Sequence, residues 1–206
     1  MTTLEPDPRP ADRTTDRPTD APTELAELLE LTSDAWRDAL DAVVFHDCEV
    51  ARRVLAGARE RRVAAVRARA RAQAQLSEAR IVLTARRLVR SVNTLQLVAD
   101  VERLEQLIVA TARRVLSGRA HLAQDLRPEV ATLGRAGAQR LHDLALGRRP
   151  GLLEADYLAC GRELDEVSQC LARHARAHRR PDEAVGLCAA LTSGVLEASR
   201  HASRAA

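Results

Sequence analysis

Aromatic side chains are almost missing from this chain of 206 residues: they make up 1% of it, and Trp36, Phe45 and Tyr157 stand alone. A core without aromatics has to be built from Leu, Val and Ala, which suits helix-on-helix packing better than a sheet. Lysine is absent, so all 32 basic residues are arginine. That uniformity reads as codon bias in a GC-rich genome. The formal net charge is only +3, so overall charge does not argue for a nucleic-acid binder. The four cysteines, Cys48, Cys160, Cys170 and Cys188, form no C-x-x-C pair, which removes the usual zinc signature. They are expected to be reduced thiols acting as small, partly buried core residues. No apolar run approaches the roughly 18 residues of a membrane span. No secretory h-region is seen, which predicts a cytoplasmic protein. A nucleophile–base arrangement, a nucleotide loop and a metalloprotease motif are all missing, so the reading is not an enzyme.

What is present is helical periodicity in a chain that is 46% hydrophobic, enough to bury a core. Residues 1–22, rich in Pro, Thr, Asp and Arg, read as a disordered tail. From Thr23 an apolar face runs through Leu25, Leu28, Leu29, Leu40, Val43 and Val44, with a possible break near Thr32-Ser33-Asp34 where Ser33 or Asp34 could cap. A second helix is expected from His46 or Asp47 to about Gln75, Arg-rich and poor in acids, followed by a weak turn region at Leu76 to Arg80. A third runs from Ile81 to Val115 and stops at Ser117-Gly118. Asp125, Pro128 and Glu129 read as a fourth start, with Asp125 as cap and Pro128 in the first turn. Gly147 and Pro150-Gly151 separate it from a fifth helix, about Leu152 to His178. Pro181, Asp182 and Glu183 open a sixth, with acids placed to suit the positive end of the helix dipole. Six helices in two sets of three are the expected organisation, 23–118 and 119–206.

A faint internal repeat supports this division. Ala51 to Val63 can be laid on Ala155 to Val167, and the third helix on the sixth, pairing Glu102 with Glu197 and Gln106 with His201.

The third helix carries the sharpest signal. At about 100° per residue, Leu88, Val92, Leu95, Ala99, Glu102, Gln106 and Val109 fall on one face, expected to be an inner seam with Glu102 on it. A second stripe runs through Leu97, Val101, Leu104, Ile108 and Val115. A helix apolar on two sides is usually central in a bundle. A charge on its inner seam has to be paired, hydrogen-bonded or metal-bound. Pairing with an arginine of the preceding helices is the simpler reading of Glu102. Glu105 lies off that seam and is expected to be solvated.

Arg86-Arg87-Leu88-Val89-Arg90-Ser91-Val92, followed by Leu97-Val98-Ala99-Asp100-Val101-Glu102-Arg103-Leu104, resembles the third helix of PhoU-type proteins. In that family a basic, apolar helix leads into an Asp-Leu-Glu-Arg-Ile-Gly-Asp-like segment. His46 to Val54 is similar to the family's first connector, and Leu126 to Val130 with Leu133-Gly134 to the start of its fourth helix. The resemblance spans about residues 24–206. It implies an all-α fold of two similar three-helix bundles packed side by side. It also implies a cytoplasmic accessory of phosphate uptake, held at the inner face of the membrane through its partners. Those partners would be the ATP-binding subunit of a phosphate transporter and a phosphate-responsive sensor histidine kinase. A homodimer is implied too, and in some members iron or zinc clusters held by E/D-x-x-x-D motifs.

This chain departs from that metal motif. Gln106 replaces the second acid after Glu102 and brings no charge. Gly57, Arg61 and Arg62 stand near the places of expected acids in the second helix, with Glu60 alone. Glu197 and His201 form an i,i+4 pair able to ligate metal; Asp165, with Glu163 and Glu166, forms the acidic segment of the fifth helix. Glu102, Gln106, Glu197 and His201 are therefore vestigial candidates rather than an assigned site. His174 and His178 are also i,i+4, but flanking arginines would repel a cation. Two other functions stay open: a diverged helical adaptor without phosphate partners, and a nucleic-acid binder using the Arg-rich second helix. That helix lacks interleaved aromatics for base stacking, and its Ala-Arg alternation fits a solvated face with Arg stems covering apolar surface.

Overall fold

A computed structural model describes residues 23–81, 85–120, 122–147, 162–167, 169–173 and 183–205. The fold is all-α. Helix α1 spans Thr23–Phe45, α2 Cys48–Ala56, α3 Ala58–Ile81, α4 Ala85–Leu116 and α5 Arg127–Ala145, the last entered through a short 3-10 turn at Gln124–Leu126. Residues 162–167 and 169–173 are helical and form α6; α7 spans Glu183–Ala205. The expected tail, the start and end of the fifth helix, and His174 and His178 lie outside the described residues. Among the described residues no helix is long and apolar enough to cross a membrane.

Local chemistry accounts for most boundaries. Helix α1 ends with His46 in the left-handed region at φ 53° and the Asp47 amide bonded back to the Ala42 carbonyl, 3.1 Å away. This is the 6→1 bond of a Schellman ending, which satisfies a terminal carbonyl. Asp47 then caps α2, its Oδ1 accepting from the Glu49 and Val50 amides at 2.8 and 3.1 Å. Gly118, at φ 69°, closes α4 in the same way, with the Arg119 amide on the Arg114 carbonyl.

Other expectations are corrected. Helix α1 does not break at Thr32-Ser33-Asp34. The Thr32 hydroxyl donates to the Leu28 carbonyl one turn back, the Ser33 hydroxyl donates across to the Ala138 carbonyl of α5, and Asp34 Oδ1 accepts from Arg37 Nη2, so neither Ser33 nor Asp34 caps a new turn. The expected second helix is two, α2 and α3, divided at Gly57, and it does not end near Gln75: α3 continues through the expected turn region to Ile81. Asp125 makes no cap; α5 starts from Leu126 with no side-chain cap and with Pro128 in its first turn. The described cysteines are not alike, and Cys160 lies outside the described residues. Cys188 is buried, Cys170 half-buried and Cys48 exposed in the first turn of α2.

One continuous apolar core takes residues from every helix, including Leu164, Val167 and Leu171 of α6. Helices α1, α3 and α4 pack on one another, while among the described helices the most extensive contacts are those of α1 with α5 and of α4 with α7. Each of those interfaces has a glycine packed tightly against a side chain of the facing helix. A Cβ at Gly194 of α7 would lie 2.5 Å from Leu104 Cδ2 of α4, and one at Gly137 of α5 would lie 2.5 Å from the Trp36 ring of α1. Because Leu104 is fully buried it has no solvent to swing into. Gly194→Val is expected to destabilise the fold by about 1–3 kcal/mol through overpacking; a thermal midpoint equal to that of the parent would refute this close approach.

Candidate functional site

The charged segment of α4 between Asp100 and Gln106 lies between α3 and α7, and its side chains divide between them. Residues three apart share a helix face, and residues two apart point about 200° away from each other. Asp100 and Arg103 therefore meet α7, and Glu102 and Glu105 meet α3. Asp100 Oδ2 is 2.5 Å from His201 Nδ1, with the Asp100 side chain only 6% exposed. Arg103 Nη1 reaches Glu197 Oε2 at 3.5 Å. On the other side Glu102 pairs with Arg69. Glu105 Oε2 accepts from Arg61 Nε at 2.6 Å, in a pair whose side chains are 16% and 6% exposed.

Arg61 links three helices. Its Nη2 donates to the Val54 carbonyl of α2 at 2.7 Å while Nε holds Glu105 of α4. The approach depends on Gly57, at the junction of α2 and α3: a Cβ there would lie 2.7 Å from Arg61 Nη1. Burial pushes the Glu105 carboxyl above the ordinary glutamate range, opposed by the Arg61 hydrogen bond and by the charges of Arg61 and Arg62. The second oxygen, Oε1, is buried with no hydrogen-bond partner among the described residues.

Two expectations about α4 are thereby corrected. The buried face is the second stripe, Leu97, Val101, Leu104, Ile108 and Val115, joined by Ser91, Thr94, Val98, Asp100, Thr111 and Ala112. The face expected to be the inner seam is the outer one: Leu88, Val92, Ala99 and Gln106 are exposed and Glu102 is only half-buried. Leu88 and Val89 are exposed and precede Leu97, the first α4 residue of the core. Glu105 is not solvated; it lies one residue from the Leu104 core position and has Arg61 to receive it. The most deeply buried carboxylate of the segment is Asp100, which flanks the Leu97–Val101–Leu104 pattern.

The four vestigial metal candidates do not converge. Glu102 faces α3 and holds Arg69, Gln106 is exposed, and Glu197 and His201 of α7 engage Arg103 and Asp100. Two of the carboxylates thus already hold a guanidinium where a ligand set needs a cation, so the residues do not fit an iron or zinc cluster. Among the described residues no group of three or more His, Cys, Asp or Glu is close enough to hold a metal ion. The acidic segment of the fifth helix, Glu163, Asp165 and Glu166, is exposed on α6.

The interface between α4 and α7 is instead a polar clasp on an apolar seam, and α7 has a second clasp to α5, where the buried Arg140 Nε donates to the Ser199 hydroxyl at 3.0 Å. His201→Leu is expected to cost about 1–3 kcal/mol, because Asp100 is left buried without this partner. Asp100→Leu in the same background should recover most of the loss. Urea unfolding of the two variants checks this, and a double variant no more stable than the single one would refute it.

Compared with models of known protein families and with curated proteins, the chain finds no match in either.

Proposed function

We propose that the chain is a PhoU-like regulator of phosphate uptake and phosphate-responsive signalling that works by protein contact rather than by chemistry of its own. The observation that carries the reading is the packing of α1 on α5 and of α4 on α7. In a chain of two repeats, with α2 and α3 together standing for one helix, α1 and α5 would be the first helices of their repeats and α4 and α7 the last, and among the described helices these are the pairs in most extensive contact. That pairing is what two similar three-helix bundles packed side by side would give. The resemblance of residues 86–104 to the third helix of the family points the same way. The ion pairs at Glu102, Glu105 and Glu197 favour a role that needs no iron or zinc. The partners are then the ATP-binding subunit of a phosphate transporter and a sensor histidine kinase, met in the cytoplasm by a homodimer.

Deleting the gene in its own organism is expected to switch on phosphate-starvation genes in phosphate-replete medium, and the tagged chain is expected to co-purify the transporter ATPase. Neither effect would leave the second reading, a diverged adaptor without phosphate partners. The replacement of the acidic motif by arginine-held carboxylates favours that second reading.

A further inference from the structure

The buried face of α3 is formed by Arg61, Ala64, Ala65, Ala68 and Ala72, so the opposite face looks outward. On it Val63, Val66, Ala70 and Ala74 fall within about 80° of one another at 100° per residue, a stripe about 17 Å long. All four are exposed, Val63 by 44% and Val66 by 62%. Arg62 and Arg69 border the stripe on one side, Arg67 and Arg71 on the other, and Arg59 stands at its start. Over residues 59–71 five exposed arginines face a single exposed acid, Glu60, in a chain whose net charge is only +3. Among the described residues Arg62 acts on Glu105 through its charge, Arg69 holds Glu102, and Arg67 lies 3.8 Å from Glu27 in a pair open to solvent on both sides. Solvated pairs of that kind are worth little and exchange readily.

We propose that this face of α3 is the docking surface for an acidic amphipathic helix of a partner protein. Such a helix would lay its apolar side on Val63, Val66, Ala70 and Ala74 and set carboxylates against the two rows of arginine. The two alanines keep the surface low, so the backbone of a second helix can come close. The other occupants fit less well. A bilayer gains little from two valines and two alanines. Nucleic acid has no aromatic to stack on and no use for an apolar centre line. A second copy of α3 would set arginine against arginine. The proposal names a surface for the protein contacts of the function proposed above but does not require phosphate partners, so the two can fail separately.

The test places a photo-crosslinking residue at position 70 of the full chain in its own organism, and the adduct is identified by peptide mass spectrometry. The expected product is one dominant protein peptide, net acidic, with apolar residues at i, i+3 and i+4 spacing. Its yield should fall at least tenfold when Val66→Glu is added, with helical content and thermal midpoint unchanged. A lipid or nucleic-acid adduct, a peptide of this same chain, a neutral or basic peptide, a yield indifferent to Val66→Glu, or no adduct would each overturn the proposal. An acidic peptide from a protein unrelated to phosphate transport would support the surface while removing the phosphate reading.

Discussion

Replacing Arg61 with Met is expected to destabilise the protein by about 3–5 kcal/mol at neutral pH, the range for breaking a buried pair by removing one partner. The loss is large because Glu105 stays behind. With Oε1 already without a hydrogen-bond partner among the described residues, removal of Arg61 leaves a largely buried carboxylate with neither of its oxygens hydrogen-bonded by this arginine. The pH dependence follows from the direction of the Glu105 shift. A carboxyl whose pKa is higher in the folded than in the unfolded chain binds more protons when folded, between the ordinary value of about 4.3 and the raised one. Stability therefore falls as pH rises through that window. In the parent protein Arg61 limits the rise. Without it the folded-state pKa climbs further and the window widens toward neutrality, so the gap between variant and parent should narrow as pH is lowered to about 5. Urea unfolding at the two pH values measures it, and a gap independent of pH would contradict the assignment. Glu105→Leu added to Arg61→Met should return most of the stability, short by about 1 kcal/mol for the Val54 carbonyl that loses its donor.

How far this site was legible from the sequence depends on what decides each residue's place. The helical class and most apolar faces follow from periodicity, and the Asp47 cap and the Gly118 stop follow from residue types with a local mechanism, so these show in the chain itself, whereas the division at Gly57 and the run of α3 to Ile81 do not. Nor does the orientation of α4. Both of its stripes are apolar enough to be inner faces, and the choice between them rests on which neighbours arrive. The stripe 97–101–104–108–115 keeps heptad spacing for its whole length, whereas the rival stripe carries Glu102 and Gln106 in its middle. That difference, with Asp100 beside the better stripe, was the available clue to the buried acid. Arg61 left a fainter one: it is an arginine one turn after a glycine, and the meaning of that spacing depends on Val54 and on Glu105, 44 residues away. The continuity of α1 through Ser33 was hidden for the same reason, since the hydroxyl's partner lies on α5, 105 residues further on. Local propensity favours a cap at such a residue, and a distant carbonyl decides otherwise.

The interface between α1 and α5 gives the second large effect, and it turns on the chain's single tryptophan. Trp36 is fully buried and its Nε1 donates to the Gly134 and Leu133 carbonyls at 3.1 and 3.3 Å. Its ring occupies the space that a Cβ at Gly137 would need, 2.5–2.6 Å from Cε2, Cζ2 and Nε1. Trp36→Ala is expected to cost about 3–5 kcal/mol in lost burial and residual cavity. Gly137→Ala offers a sharper test, because its sign should depend on Trp36. With the indole in place the new methyl has no room, and the change should cost about 1–3 kcal/mol. In the Trp36→Ala background the space is empty, the methyl fills part of it, and alanine is the better helix former by about 1 kcal/mol. Gly137→Ala should then stabilise. A thermodynamic cycle of the four proteins by urea unfolding reads this coupling directly. If the two substitutions were additive, the ring would not lie on Gly137, and the account of how the first helix of one half meets the first helix of the other would fail with it.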